Sequence, residues 1–129
     1  MRIPSIPFDL HESDGSGWTL NGTVIEGAAP AGTDLFVDPS GTTGVAAETL
    51  LNAQTLLGAP PEGDFTLSAR VRPEHHATFD AGVLLAWVDD TNWAKLCFEC
   101  SPAGESMIVS VVTKGTSDDA NGFLLDADD

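Results

Sequence analysis

Apolar and polar residues alternate most regularly over residues 79–99. Val83, Leu85 and Trp87 recur at every second position in the first half, and Leu96 and Phe98 do so in the second. A period of two predicts two half-buried strands, joined here by the polar turn Asp89, Asp90, Thr91, Asn92. Residues 64–72 alternate as well, with Phe65, Leu67, Ala69 and Val71 set against Thr66, Ser68, Arg70 and Arg72. These residues and the Val/Ile-rich stretch 106–113 are predicted to flank the hairpin in one antiparallel sheet.

The rest of the chain is punctuated by turn residues. Residues 3–10 read as an edge strand, where Pro is tolerated, with Ile6, Phe8 and Leu10 alternating. A turn follows at 12–17 and a strand starts at Trp18. Asn21 and Gly22 signal a hairpin, with its return strand over 23–28. Residues 34–37 read as a short strand. Residues 45–57 are rich in Ala and Leu and fit a helix or a strand alike; strands on both sides favour a strand over 49–57. Residues 58–63 and 73–78 read as connections, 101–104 as a turn and 114–122 as a polar loop. A last strand is predicted at 123–125, before a frayed acidic tail.

Register follows from matching like faces, since a slip of one residue inverts every side chain. Setting Val88 opposite Trp93 brings Leu85 beside Leu96 and Val83 beside Phe98. Setting Cys100 opposite Glu105 brings Phe98 beside Met107 and Leu96 beside Val109. The predicted core side is then Val83, Leu85, Trp87, Leu96 and Phe98. The other side collects Arg70, Arg72, Asp80, Trp93, Lys95, Glu99, Ser106 and Ser110 around Gly82. Such a face is either solvated, with charges paired across strands, or a shallow groove for a polar ring compound. In the second case Arg70, Asp80, Trp93, Lys95 and Glu99 are the ligand-binding candidates, with the indole as a stacking surface.

Composition narrows the choices. A chain of 129 residues, 42% hydrophobic with thirteen Gly and eight Pro, suits one all-β domain over 1–129. Twenty acids against five Lys and Arg give a formal charge of −15, which repels phosphate backbones and anionic bilayers. No nucleic acid and no membrane are therefore expected as partners. No apolar run approaches the roughly 20 residues of a membrane helix, and no signal peptide is visible, so a cytoplasmic location is expected. Cys97 and Cys100 lie three apart, on opposite faces of a strand, and read as ordinary buried thiols rather than a metal pair. His75 and His76, the acid pair Asp118 and Asp119, and the acidic tail lack the spacing of a metal loop. The glycines of 41–44 lack a phosphate-loop lysine. No cofactor and no metal are expected.

Several short motifs carry a resemblance. Thr33 to Phe36, Asp64 and Phe65, Phe79 to Gly82, Asn92 to Lys95 with Glu99, and Val111 to Thr113 with Ser117 and Asp118 occur in this order. They resemble a domain-of-unknown-function family of the "regulation of enolase protein 1" type, in the concanavalin A-like lectin/glucanase superfamily. The resemblance spans about residues 18–123. It implies a jelly-roll β-sandwich of two antiparallel sheets. Ala81 stands where the family often has Gln. Family members usually continue for several strands past the Ser–Asp loop, so the chain is expected to be abbreviated, with an unpaired sheet edge through which copies associate.

Three functions follow. The first is non-catalytic, lectin-like binding of a carbohydrate or other small polar ligand on the concave sheet. The second is a regulatory module with a protein partner. The third is a glycoside hydrolase, in which Asp80 and Glu99 would be diagonal neighbours at roughly 7–8 Å, within the separation an inverting pair uses. Nearby Arg70 and Lys95 would hold both acids ionised, against the raised pKa of a general acid, and the superfamily's Glu-x-Asp-x-x-Glu strand is missing.

Overall fold

A computed structural model describes residues 1–13, 17–40 and 49–126. Expectations for the turn at 12–17, for residues 41–48 and for the tail from 127 lie wholly or partly outside them. The described chain is all-β, with several antiparallel sheets and no helix among those residues. The strands are β1 (His11–Glu12), β2 (Trp18–Asn21), β3 (Val24–Gly27), β4 (Leu35–Phe36) and β5 (Leu50–Leu51). They continue with β6 (Leu56–Leu57), β7 (Ala81–Asp89), β8 (Asn92–Cys100), β9 (Ser106–Lys114) and β10 (Thr116–Leu124). β1 pairs with β6, β2 with β3 and β4 with β5, while β10, β9, β8 and β7 form a four-stranded sheet in that order.

The chain divides into two compact units. Met1–Leu35 with Leu50–Thr66 form the first. Its main ribbon is the β2–β3 hairpin, in which Trp18 faces Gly27; a hairpin was predicted here, but its two turn residues are Gly22, at φ 64°, and Thr23, while Asn21 stays in the strand opposite Val24. The expected edge strand over 3–10 is not a strand, although Ile3 and Leu10 are buried. The strand expected over 49–57 is split into β5, which pairs with β4, and β6, which pairs with β1; after β5, Asn52 Oδ1 accepts the Asp34 N–H.

Phe36–Thr49 with Leu67–Asp129 form the second unit, built on the four-stranded meander. Its core side is set by strict alternation on β9, where Met107, Val109, Val111 and Thr113 are buried. Trp93, Lys95 and Cys97 of β8 share that side, since Cys97 pairs with Val109 and Lys95 with Val111. Ser117 of β10 joins them. The polar loop expected at 114–122 is thus a strand. Its side chains are mostly exposed, as an edge strand permits, and the sequence therefore gave no alternation to read.

The β8 register corrects the predicted one. Asp89 does face Asn92, as the turn suggested, but Val88 bulges out and Trp87 pairs with Trp93. At the other end Cys100 pairs with Ser106 rather than Glu105. The connection is a three-residue loop, Pro102, Ala103, Gly104, with Gly104 at φ 79° in the left-handed region that Gly adopts without strain. Two single-residue shifts, one at each end, turn β8 over relative to both neighbours. Leu96 and Phe98, expected in the core, lie on the opposite side from Met107 and Val109, and Leu96 is 50% exposed. Trp93 and Lys95, expected in solvent, are buried.

Residues 64–72 form no strand. A Cβ placed on Gly82 would come 2.1 Å from Val71 Cγ1. Val71 therefore sits over the face of β7, so the chain there lies above the sheet instead of extending it edgewise.

Candidate functional site

The five residues singled out in the sequence do not form one cluster. Trp93, Lys95 and Glu99 share the core side of β8 by alternation. Trp93 is 3% exposed, stacks on Trp87 at 6.3 Å between ring centroids, and has Lys95 Nζ 6.0 Å from its own ring centre. An indole so enclosed offers no open ring face to a sugar. Its Nε1 is buried with no hydrogen-bond partner among the described residues. Lys95 lies on the aromatic face in a cation–π arrangement and makes further contacts, as does the half-buried Glu99.

Asp80 lies elsewhere. Its backbone pairs with Cys100, whose N–H donates to the Asp80 carbonyl at 2.9 Å. Since Ala81 faces Glu99, Asp80 and Glu99 point to opposite sides of the sheet, which removes the geometry expected of a hydrolase pair. The Asp80 carboxylate instead closes the loop before β7. Its Oδ2 accepts the His76 N–H at 2.9 Å and the Ala77 N–H at 2.8 Å. These two bonds, His76 first, hold the carboxyl below its ordinary range and keep it ionised. The same loop carries Phe79 at φ 70°, an unfavourable conformation for a side chain of that size.

Arg70 lies against the other side of the sheet. It lines a groove of about 320 Å³ with Val71, Leu84, Leu96, Phe98 and Ile108. Neither Arg70 nor Arg72 makes an ion pair among the described residues, where the Arg2 guanidinium pairs with Asp9. The groove belongs to a larger open face. The residues of β7, β8 and β9 that alternate onto it from Gly82 to Ala86, Ala94 to Cys100 and Ser106 to Val112 include no charged side chain. Val112 is 46% exposed, and on β10 Phe123, opposite Ile108 and 62% exposed, extends the face, while Asp118, opposite Val112, bounds it. The sequence reading missed this surface because the β8 inversion hid it. The signal was present in Pro102 and Gly104, whose order suits a turn followed by a left-handed Gly and hence a three-residue loop.

Two motif residues are structural. Thr113 and Ser117 are buried, and their hydroxyl oxygens lie 2.8 Å apart. Ser117 Oγ accepts the Val37 N–H, and the Ser117 N–H donates to the Val37 carbonyl.

Residues 13–129 match a family described as protein of unknown function (DUF1349). The chain belongs to this family. No curated protein and no solved structure matches it. Family membership therefore supplies no ligand. Among the described residues no group of three or more His, Cys, Asp or Glu side chains is placed to hold a metal, and no helix is long and apolar enough to cross a membrane.

Proposed function

We propose that this protein is a non-catalytic binding module on a concanavalin A-like jelly-roll frame, and that it binds through the open face of the four-stranded sheet. The observation that carries this is Leu96. It sits mid-strand on an inner strand of the sheet, yet half its surface is in solvent. A sheet face normally buries its apolar residues against another layer, and contiguous exposed apolar surface marks a site of interaction. In a chain of charge −15, an uncharged tract over three strands supports a surface meant to be covered. Its ligand is expected to have an apolar body, unlike a sugar stacked on Trp93.

The non-catalytic part rests on Asp80, whose carboxylate is committed to two backbone N–H groups. Release of reducing sugar by the wild type and its loss in Glu99→Gln would contradict it. The regulatory protein-interaction role is the second reading. It is favoured by Val112 and Phe123, which carry the apolar tract beyond the groove. Both readings use one face, and a neutral solvatochromic dye such as Nile red tests it. Native protein is expected to enhance dye emission and Leu96→Asp to abolish that enhancement while keeping the wild-type circular dichroism. No enhancement by the native protein would contradict the assignment.

A further inference from the structure

The open face holds one feature that selects among apolar ligands. The groove over Leu84, Leu96, Phe98 and Ile108 is apolar apart from Arg70, the only charged residue in its lining. Arg70 is one of five Lys and Arg in the chain. A cation in so acidic a chain would ordinarily be drawn to one of twenty carboxylates, yet Arg70 has no ion-pair partner among the described residues. Val71, its neighbour, is anchored over Gly82, and both line the groove, which holds the Arg70 backbone beside it.

Resting on the open face as the binding surface, we propose that this groove binds a free, monomeric monocarboxylate with an apolar tail. The tail lies over Leu96, Phe98 and Ile108, and the carboxylate meets the Arg70 guanidinium, whose fork matches two carboxylate oxygens. A volume of about 320 Å³ is near the lower end for small-ligand sites. At about 30 Å³ per water-sized group it takes roughly ten heavy atoms, a tail of medium length. A carboxylate at a lipid surface is a poorer source, because the net charge opposes approach to an anionic bilayer.

The test is a titration of the full chain, followed by amide chemical shifts, with straight-chain carboxylates and the matching neutral alcohols. In wild type, affinity is expected to rise about two- to fourfold with each added methylene until the groove is full. Octanoate is expected to bind about three- to tenfold tighter than octanol, a modest preference because Arg70 is exposed. Arg70→Gln should abolish that preference and leave octanol unchanged, and Leu96→Asp should weaken both. Equal affinities in wild type would overturn the carboxylate assignment and leave the open face standing as a binding surface. Absence of chain-length-dependent binding by either series would overturn both. Binding of anionic vesicles without binding of free octanoate, or titration shifts confined to residues outside the groove, would also overturn the proposal.

Discussion

Gly82 is a single residue on which the second unit's geometry turns. Its missing side chain is the space that Val71 fills, since an added Cβ would meet Val71 Cγ1 at 2.1 Å. Gly82→Ala is expected to destabilise by about 1–3 kcal/mol through overpacking, and Val71→Ala in the same chain should recover part of that loss. Chemical denaturation of the four corners of this cycle checks it; additive losses would mean that the two residues do not touch. Asp80 supplies a pH-dependent term. Its folded pKa is lowered, so its stabilisation is fully present above the unfolded value of about 3.9 and is lost as pH falls through the folded value. The urea midpoint of wild type is expected to fall more steeply below about pH 4 than that of Asp80→Asn. Parallel slopes would contradict the role. Both residues were singled out in the sequence, Gly82 as the centre of the polar face and Asp80 as a site. Their actual roles were hidden because each depends on a partner, Val71 or the amides of His76 and Ala77, that alternation alone does not locate.

At the scale of elements, β8 shows what alternation can and cannot tell. The period of two found the strands β7, β8 and β9 and placed Met107 and Val109 on the core side. It could not say which face of β8 matched them, because that depends on the bulge at Val88 and the loop ending at Gly104. The Asp89 carboxylate helps to set the first of these. It accepts from the Thr91 N–H and hydroxyl and from the Asn92 amide, drawing the turn in to two residues. With Trp93 in the core, Trp93→Ala is expected to cost about 3–5 kcal/mol by denaturant unfolding. A solvated stacking platform would lose under about 0.5 kcal/mol. β10 was unreadable for another reason: a polar edge strand has no buried face to generate a pattern. It is held instead by Ser117, and Ser117→Ala, which orphans the Val37 N–H, is expected to cost about 1–3 kcal/mol.

Across the whole molecule, charge and apolar surface act against each other. A net charge of −15 keeps copies apart, while the uncharged tract of β7, β8 and β9 and the edge strand β10 invite association. β10 carries Asp118 and Asp119 and a register shift between Asn121 and Phe123, both of which hinder edge-to-edge pairing. Self-association should therefore run mainly through the open face and depend on screening. Sedimentation is expected to show monomer at about 0.01 M salt and a concentration-dependent dimer near 1 M, where the Debye length falls to about 3 Å. A dimer that dissociates as salt rises would mean that charge pairs, not the apolar face, hold the copies together.

All of this depends on which side of β8 faces the core, and equilibrium unfolding of Leu96→Gln measures that directly. With Leu96 half in solvent, the change is expected to be under about 1 kcal/mol, as for other partly exposed sites. A loss of about 2–5 kcal/mol, the cost of a core leucine, would put Leu96 in the interior. That result would return Trp93 and Lys95 to solvent and contradict the open face as the binding surface.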